Sequence, residues 1–308
     1  MKYIRRLLKK LPYLRNMVRE IRELRKPERD CSRDITEMRM SLVNNSCSDY
    51  SKEVDYIMQH LDDQEEWFVP YQRLSSVSYV KSGYDWKTGL PYVEHKGKKL
   101  FFPAPFNEDF CIDTYKAFID KECILGGNYR EKQPHQYESI NCMVDSKDIL
   151  VDIGCAEALF ALEHIDEVSK VYLIESDAKW IPPLRATFRD YSDKVVIVNK
   201  QIAGVDSEKT ITLETLLAHE CPSPFFVKMD IEGAETEVLN NSRKFLSSIK
   251  HIKMAVCTYH RKDDAVNISS FFNELGFKYE FSEGFMYLYK NCDPVYPYFR
   301  HGVIRGWK

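Results

Sequence analysis

Ile149-Leu150-Val151-Asp152-Ile153-Gly154-Cys155-Ala156-Glu157-Ala158-Leu159-Phe160 reads as an apolar strand that runs into an acid and a glycine. Small residues follow and open a helix. Such a turn lets backbone approach a ligand closely, and a helix start offers free amides. The run is not a GxGxxG fingerprint, because Ala156 and Ala158 replace the later glycines. Alone it does not choose a cofactor.

Working outward from residue 146, strand signals alternate with helical or long connections. The strands fall at 149–153, 171–174, 195–199, 225–229, 253–258, 278–281 and 285–289. The last two are separated by Ser282-Glu283-Gly284, which predicts an antiparallel hairpin. The ordering predicts an α/β fold: a Rossmann-like, mostly parallel sheet with helices on both faces and an antiparallel strand near its end. Ligands of such sheets sit at the carboxyl ends of the strands, where strand order reverses.

Glu175 ends the second strand, 21 residues after Gly154. An acid at that spacing can accept both ribose hydroxyls of an adenosine. NAD and S-adenosylmethionine both satisfy this, and a solvated strand-end Glu is the structural alternative. The fourth strand ends in Phe225-Phe226-Val227-Lys228-Met229-Asp230-Ile231-Glu232-Gly233-Ala234-Glu235. Its three acids concentrate negative charge at the carboxyl edge, where a sulfonium or an acceptor hydroxyl would sit.

This run resembles the Lys-x-Asp-x-Glu-Gly-x-Glu hallmark of the FkbM-type S-adenosylmethionine-dependent methyltransferase family. The likeness extends through Val171-Tyr172-Leu173-Ile174-Glu175-Ser176-Asp177, Thr258-Tyr259-His260-Arg261-Lys262-Asp263-Asp264 and Tyr298-Phe299-Arg300. It covers about residues 146–308. The resemblance implies the class I methyltransferase fold, S-adenosyl-L-methionine as donor and O-methylation, with sugars or secondary-metabolite hydroxyls as acceptors. Ala158 departs from the second glycine found in many relatives.

The cofactor-binding set is read as Asp152, Gly154, Cys155, Ala156, Glu157, Glu175, Ser176 and Asp230, with the adenine near Gln201 and Ile202. His260, Asp230 and Glu232 form the catalytic set. Methyl transfer disperses charge, so alignment and water exclusion dominate, yet an alcohol acceptor benefits from a base. His260 follows a strand end and is the candidate base, against the structural reading of an isolated histidine. Asp230 and Glu232 would orient or deprotonate the acceptor, or hold a metal if the reaction needs one. Glu235 and Glu237 have a structural explanation, as acids that complement a helix dipole. Lys228 reads as an ion-pair partner for one of these acids.

The rest of the chain bounds the function. The 308 residues carry a net charge of −3, but residues 1–26 hold ten basic and two acidic side chains. The remainder therefore has 34 basic against 45 acidic residues, a net of −11, which argues against nucleic acid as a partner. Nine cysteines with no CxxC pair and no signal peptide point to reduced thiols, no structural metal and a cytoplasmic protein. No stretch reaches the ~20 apolar residues of a membrane span.

Residues 1–30 read as a basic amphipathic helix. Ile4, Leu7, Leu11, Leu14, Val18 and Ile21 form its stripe, and Pro12 interrupts it. It would pair with a second copy as a coiled coil, lie on the inner face of a membrane, or cover the protein's own surface. Residues 31–145 read as an α+β extension and substrate cap, with helices over 49–64 and 109–123 and a hairpin through Gly97. The methyltransferase domain takes 146–308. A small-molecule or saccharide acceptor is the expected partner.

Overall fold

A computed structural model describes residues 50–59, 68–69, 79–122, 124–125, 133–287 and 299–308. The chain divides into two compact units, residues 1–59 and 60–308. In the first, α1 (Ser51–Gln59) is described. The basic helix expected over residues 1–30 lies outside the described residues.

The second unit begins with β1 (Phe68–Val69) and a meander of β2 (Ser82–Asp85), β3 (Leu90–His95) and β4 (Lys98–Phe101). The hairpin expected at Gly97 is present: His95 stands opposite Lys98, and Lys96 and Gly97 both take positive φ, 48° and 81°. Positive φ at both turn residues matches the twist of the flanking strands. Helix α2 (Glu108–Lys116) follows, its first turn capped by Asn107, whose side-chain oxygen accepts from Phe110 N at 2.8 Å.

The alternating half comprises β5 (Ile149–Ile153), α3 (Leu159–His164), β6 (Lys170–Ile174), α4 (Ile181–Thr187) and β7 (Val195–Val198). The short pair β8 (Gln201–Ile202) and β9 (Thr210–Ile211) comes next, then α5 (Leu213–Leu217) and β10 (Phe225–Met229). The remainder is α6 (Glu235–Asn241), α7 (Arg243–Ser248), β11 (Ile252–Cys257), α8 (Asp264–Glu274), β12 (Lys278–Phe281), β13 (Phe285–Tyr287), β14 (Phe299–Arg300) and β15 (Val303–Trp307). The seven-stranded sheet runs β12-β15-β11-β10-β5-β6-β7, and β15 alone is antiparallel to its neighbours. Strand order reverses between β5 and β10, which makes their carboxyl ends the ligand crevice. This is the class I methyltransferase arrangement.

The expected hairpin between the last two strands is not formed. Strand β13 pairs instead with β1 and β14 in a separate three-stranded sheet, and β15 is inserted between β11 and β12. Ser282, in the turn after β12, explains the separation. Its hydroxyl donates to Pro134 O at 2.6 Å and accepts from Val303 N at 3.0 Å, so the chain leaves the sheet where β15 arrives. Gly306 lets β15 pass under α8, since a Cβ there would stand 2.5 Å from the Phe272 ring.

Side-chain parity divides the core. Ile149, Val151, Ile153, Phe225, Val227 and Met229 face one layer, packed under α5 to α8. Leu150 and Phe226 face the other, with α3, α4, the meander and residues 137–144. Each fully buried Phe or Leu contributes roughly 1.5–3 kcal/mol. The meander is tied to this layer by polar contacts too. Buried His95 sits 2.8 Å from Tyr115 Oη and 2.7 Å from Glu163 Oε2, Lys96 also pairs with Glu163, and Phe101 N donates to Thr187 Oγ1 at 3.0 Å. Among the described residues no helix is long and apolar enough to cross a membrane.

Candidate active site

Asp152 and Lys228 occupy matched positions in the adjacent parallel strands β5 and β10, so both side chains leave the sheet on the same face. That register makes a buried ion pair: Lys228 Nζ lies 3.1 Å from Asp152 Oδ1 and donates to Gly154 O at 2.7 Å. Burial would lower the Lys228 pKa, but Asp152 and Asp230 hold it above its ordinary value. The lysine therefore stays charged and anchors the loop after β5. The Tyr137 ring lies 5.4 Å from Nζ.

That loop is left-handed at Gly154, Ala156 and Ala158 (φ 72°, 44° and 61°). A Cβ at Gly154 would come within 1.9 Å of Asp230 O, so only glycine lets the two strand ends approach this closely. Glu175 lies beside the loop. Its carboxylate accepts from Ala156 N at 3.0 Å and Asp177 N at 2.7 Å, and Asn199 Nδ2 donates to its carbonyl at 2.7 Å. The acid is thus oriented before any ligand arrives. Glu157 is buried in the same wall, and burial pushes its carboxyl up to about 8.

These groups border one cavity of about 900 Å³, within the usual size range of ligand sites. Its lining includes Glu175, Ser176, Trp180, Gln201 and Ile202 after β6 and β7, and a second group, His135, Tyr137 and Tyr259, gathered on Asp230, with Glu232 beside it. Asp152, Gly154, Cys155, Ala156 and Glu157 also line it. An oriented acid, a glycine cradle and an acid-lined cavity of this volume fit the adenosine and sulfonium of S-adenosylmethionine. The cofactor set read from the sequence therefore lies together.

Asp230 is the hub of the second group. Tyr137 Oη donates to Oδ2 at 3.0 Å, His135 Nε2 stands 3.6 Å from Oδ2, and His260 Nε2 stands 3.4 Å from Oδ1. Burial would raise the Asp230 carboxyl, but His135, Lys228 and His260 hold it well below the ordinary carboxylate range. His260 does not itself border the cavity; it reaches it through Asp230 and through Glu232, 3.6 Å from Nε2. Its Nδ1 lies 2.9 Å from Oε1 of fully buried Glu235, which also accepts from Ile231 N at 2.8 Å. Burial lowers the His260 pKa, yet Glu235, Asp230 and Glu232 together raise it. Arg300 Nη1 donates to Tyr259 O and His260 O at 2.8 and 3.0 Å, fixing that segment.

Glu235 stands in the first turn of α6, as expected of an acid that complements the helix dipole, and it is also the partner of His260. Asp230, Glu235 and His260 bring ligand atoms within 4.8 Å of one another, as do His135, Asp230 and Cys257, so each set could gather a cation. The reading from sequence missed His135, Tyr137 and Glu122. They precede β5 by up to 27 residues and carry no motif. The hydroxyl and imidazole in the His-Gln-Tyr run at 135–137 were the available signal.

Residues 161–279 match the family model of the methyltransferase FkbM domain. Similar solved structures include methyltransferase FkbM from Methylobacillus flagellatus KT, at 18% identity and a TM-score of 0.41. That alignment covers 54% of this chain and 44% of the other, so this chain spans under half of that relative's length. A precorrin-6y C5,15-methyltransferase from Geobacter metallireducens GS-15 is similar at 15% identity and a TM-score of 0.36, over 54% and 82% of the two chains. The 23S rRNA methyltransferase ErmE is similar at 15% identity and a TM-score of 0.36, over 55% and 64%. No curated protein sequence matches.

Proposed function

We propose that this chain, whose residues 161–279 match the methyltransferase FkbM domain model, takes S-adenosylmethionine as methyl donor and O-methylates a hydroxyl of a saccharide or saccharide precursor. The observation that carries the reading is the Asp230 carboxylate. It borders the cavity, held by Tyr137 and flanked by two histidines. S-adenosylmethionine supplies an electrophilic methyl group on a sulfonium.

Asp152, Gly154, Cys155, Ala156, Glu157, Glu175 and Ser176 hold that cofactor, with Glu175 on the ribose hydroxyls. Asp230 accepts the hydrogen bond of the acceptor hydroxyl and aims its oxygen, and Glu232 closes the same edge. His260, oriented by Glu235, takes the proton that leaves the hydroxyl as the new C–O bond forms, through Asp230 rather than by direct contact. Tyr137 and Tyr259 wall off water. Alignment of this kind supplies most of the rate enhancement. The acceptor is a small molecule rather than a nucleic acid, and the location is cytoplasmic.

Calorimetry with S-adenosylmethionine and with NAD, followed by a glycan panel scored for S-adenosylhomocysteine and O-methyl product, tests the reading. Binding of S-adenosylmethionine with turnover of a sugar is expected. NAD binding in its place, or cofactor binding without turnover of any sugar, would sink it.

A further inference from the structure

The register of β10 against β11 pairs Met229 with Val256, so Asp230 and Cys257 each stand one residue beyond that pair, at the carboxyl edge of neighbouring strands. His135 reaches the same point from the segment before β5, whose Pro134 carbonyl is held by Ser282. Its Nε2 stands 3.6 Å from Asp230 Oδ2 and 3.6 Å from Cys257 Sγ. The imidazole is packed edge-on against the rings of Tyr137 and Tyr259, with centroids at 5.3 and 5.2 Å.

These separations have a chemical meaning. A tetrahedral cation with bonds of about 2.1 Å to nitrogen and oxygen and about 2.3 Å to sulfur spreads its ligands to about 3.4 Å for N···O and about 3.6 Å for N···S. The three donors stand close to those edges, and 3.6 Å to Asp230 is longer than an ordinary N–H···O hydrogen bond. Tyr137 Oη, 3.0 Å from the same Oδ2 and 3.4 Å from Nε2, orients the carboxylate. On the far side of the ring, Glu122 Oε2 faces His135 Nδ1 at 3.6 Å. A carboxylate behind the second ring nitrogen is the usual support of a metal-bound histidine.

The neighbouring cluster is built differently. His260 turns Nδ1 to Glu235 at 2.9 Å and Nε2 to Asp230 at 3.4 Å, so its two nitrogens serve acids on opposite sides. That chain suits the passage of a proton. Nor does the His135 cluster need a surplus of negative charge around it, since one thiolate and one carboxylate cancel a dication.

We infer that His135 Nε2, Asp230 Oδ2 and Cys257 Sγ bind a zinc-class divalent cation beside the cavity. Nitrogen, oxygen and thiolate sulfur in one four-coordinate set select a borderline-soft ion over magnesium or calcium. His135 and Asp230 border the cavity and Cys257 lies behind them, so the fourth position opens toward it. Three protein ligands and one open position are the catalytic form of such a site. Resting on the O-methylation reading above, that position suits the acceptor oxygen, whose proton a cation would loosen. No CxxC spacing marks the site, because its donors come from three separate segments.

The test strips the full chain with a chelator and titrates it with Zn²⁺ by calorimetry and with Co²⁺ by absorption. One cation per chain is expected, with the charge-transfer band that a thiolate ligand gives to cobalt. H135Q and C257S should each weaken binding by about 100-fold or more and E122Q by about 10–100-fold, while E235Q and C221S stay within about threefold of the parent. Should H135Q or C257S fail to fold, the cobalt band of the parent chain and the affinity of E122Q decide. Lack of stoichiometric binding, a cobalt spectrum without that band, or C257S binding as tightly as the parent overturns the inference. These readouts use no acceptor, so they stand or fall apart from the sugar reading. Equal sugar turnover by the stripped and the reloaded protein would overturn the action on the acceptor oxygen.

Discussion

Replacing Lys228 by Met tests how the cofactor loop is held. Methionine fills the same volume, so the change removes charge and hydrogen bonds rather than packing. Asp152, 1% exposed, loses a partner 3.1 Å away, and Gly154 O loses a donor at 2.7 Å. Removing one partner of a buried pair costs about 3–5 kcal/mol, because the remaining charge stays desolvated. An orphaned carbonyl adds about 1–3 kcal/mol, though part of that overlaps with the first figure. For a unit of this size each kcal/mol lowers the melting temperature by about 2–4 °C, so K228M should melt at least 6 °C below the parent.

The double variant D152L/K228M separates the effects. A well-packed apolar pair is neutral or stabilising, so stability should return while S-adenosylmethionine affinity stays low, the Gly154 loop being unanchored. Thermal denaturation and calorimetry read the two quantities. A K228M variant within 1 kcal/mol of the parent, or a double variant no more stable than K228M, would refute the ion-pair account.

Glu235→Gln removes the largest influence that raises the His260 pKa, so the acidic limb of the kcat/KM–pH profile should shift to lower pH as the plateau falls. An unmoved limb in that profile would mean His260 does not carry the proton. Burial would raise the Glu163 carboxyl, but His95 and Lys96 hold it at about 2, below an ordinary 4.5, worth roughly 3 kcal/mol. That stability is present above pH 4.5 and lost as pH falls toward 2, so E163Q should cost up to roughly 3 kcal/mol at neutral pH. Denaturant titrations of both proteins should converge in that acidic window. Gly154→Ala should abolish cofactor binding or folding, since its Cβ meets Asp230 O at 1.9 Å and φ is 72°; a variant with unchanged calorimetric affinity would contradict the close approach.

The strands β5, β6, β7, β10 and β11 were legible as largely apolar runs that end in an acid or a turn, and β12 as the alternating run Lys-Tyr-Glu-Phe before Ser282-Glu283-Gly284. Asp152, Glu175 and Asp230 stood out for the same reason: each marks a strand's carboxyl end, where parallel strands gather their functional groups. β15 was not legible. Its Val-Ile-Arg-Gly-Trp run carries a charge and a glycine, and its buried Arg305 is accommodated by Glu138 O at 2.6 Å and Phe281 O at 3.2 Å. Local pattern could not reveal those distant acceptors. His135 and Tyr137 were hidden likewise, since they reach Asp230 from 95 and 93 residues away in the chain. Glu235 was read from its helix position, and its tertiary contact with His260 left no mark there.

The insertion of β15 between β11 and β12 imposes an order of assembly. β12 has no hydrogen-bonded contact with β11 and joins the sheet only along β15. On a ribosome, an earlier-made strand must therefore wait, unpaired, for a later one. Until then both β11 and β12 expose backbone edges, the species most prone to wrong pairing. The hydroxyl of Ser282, bonded to Pro134 and Val303 at once, would then act as the late clasp that brings the upstream wall of the cavity and the closing strand together.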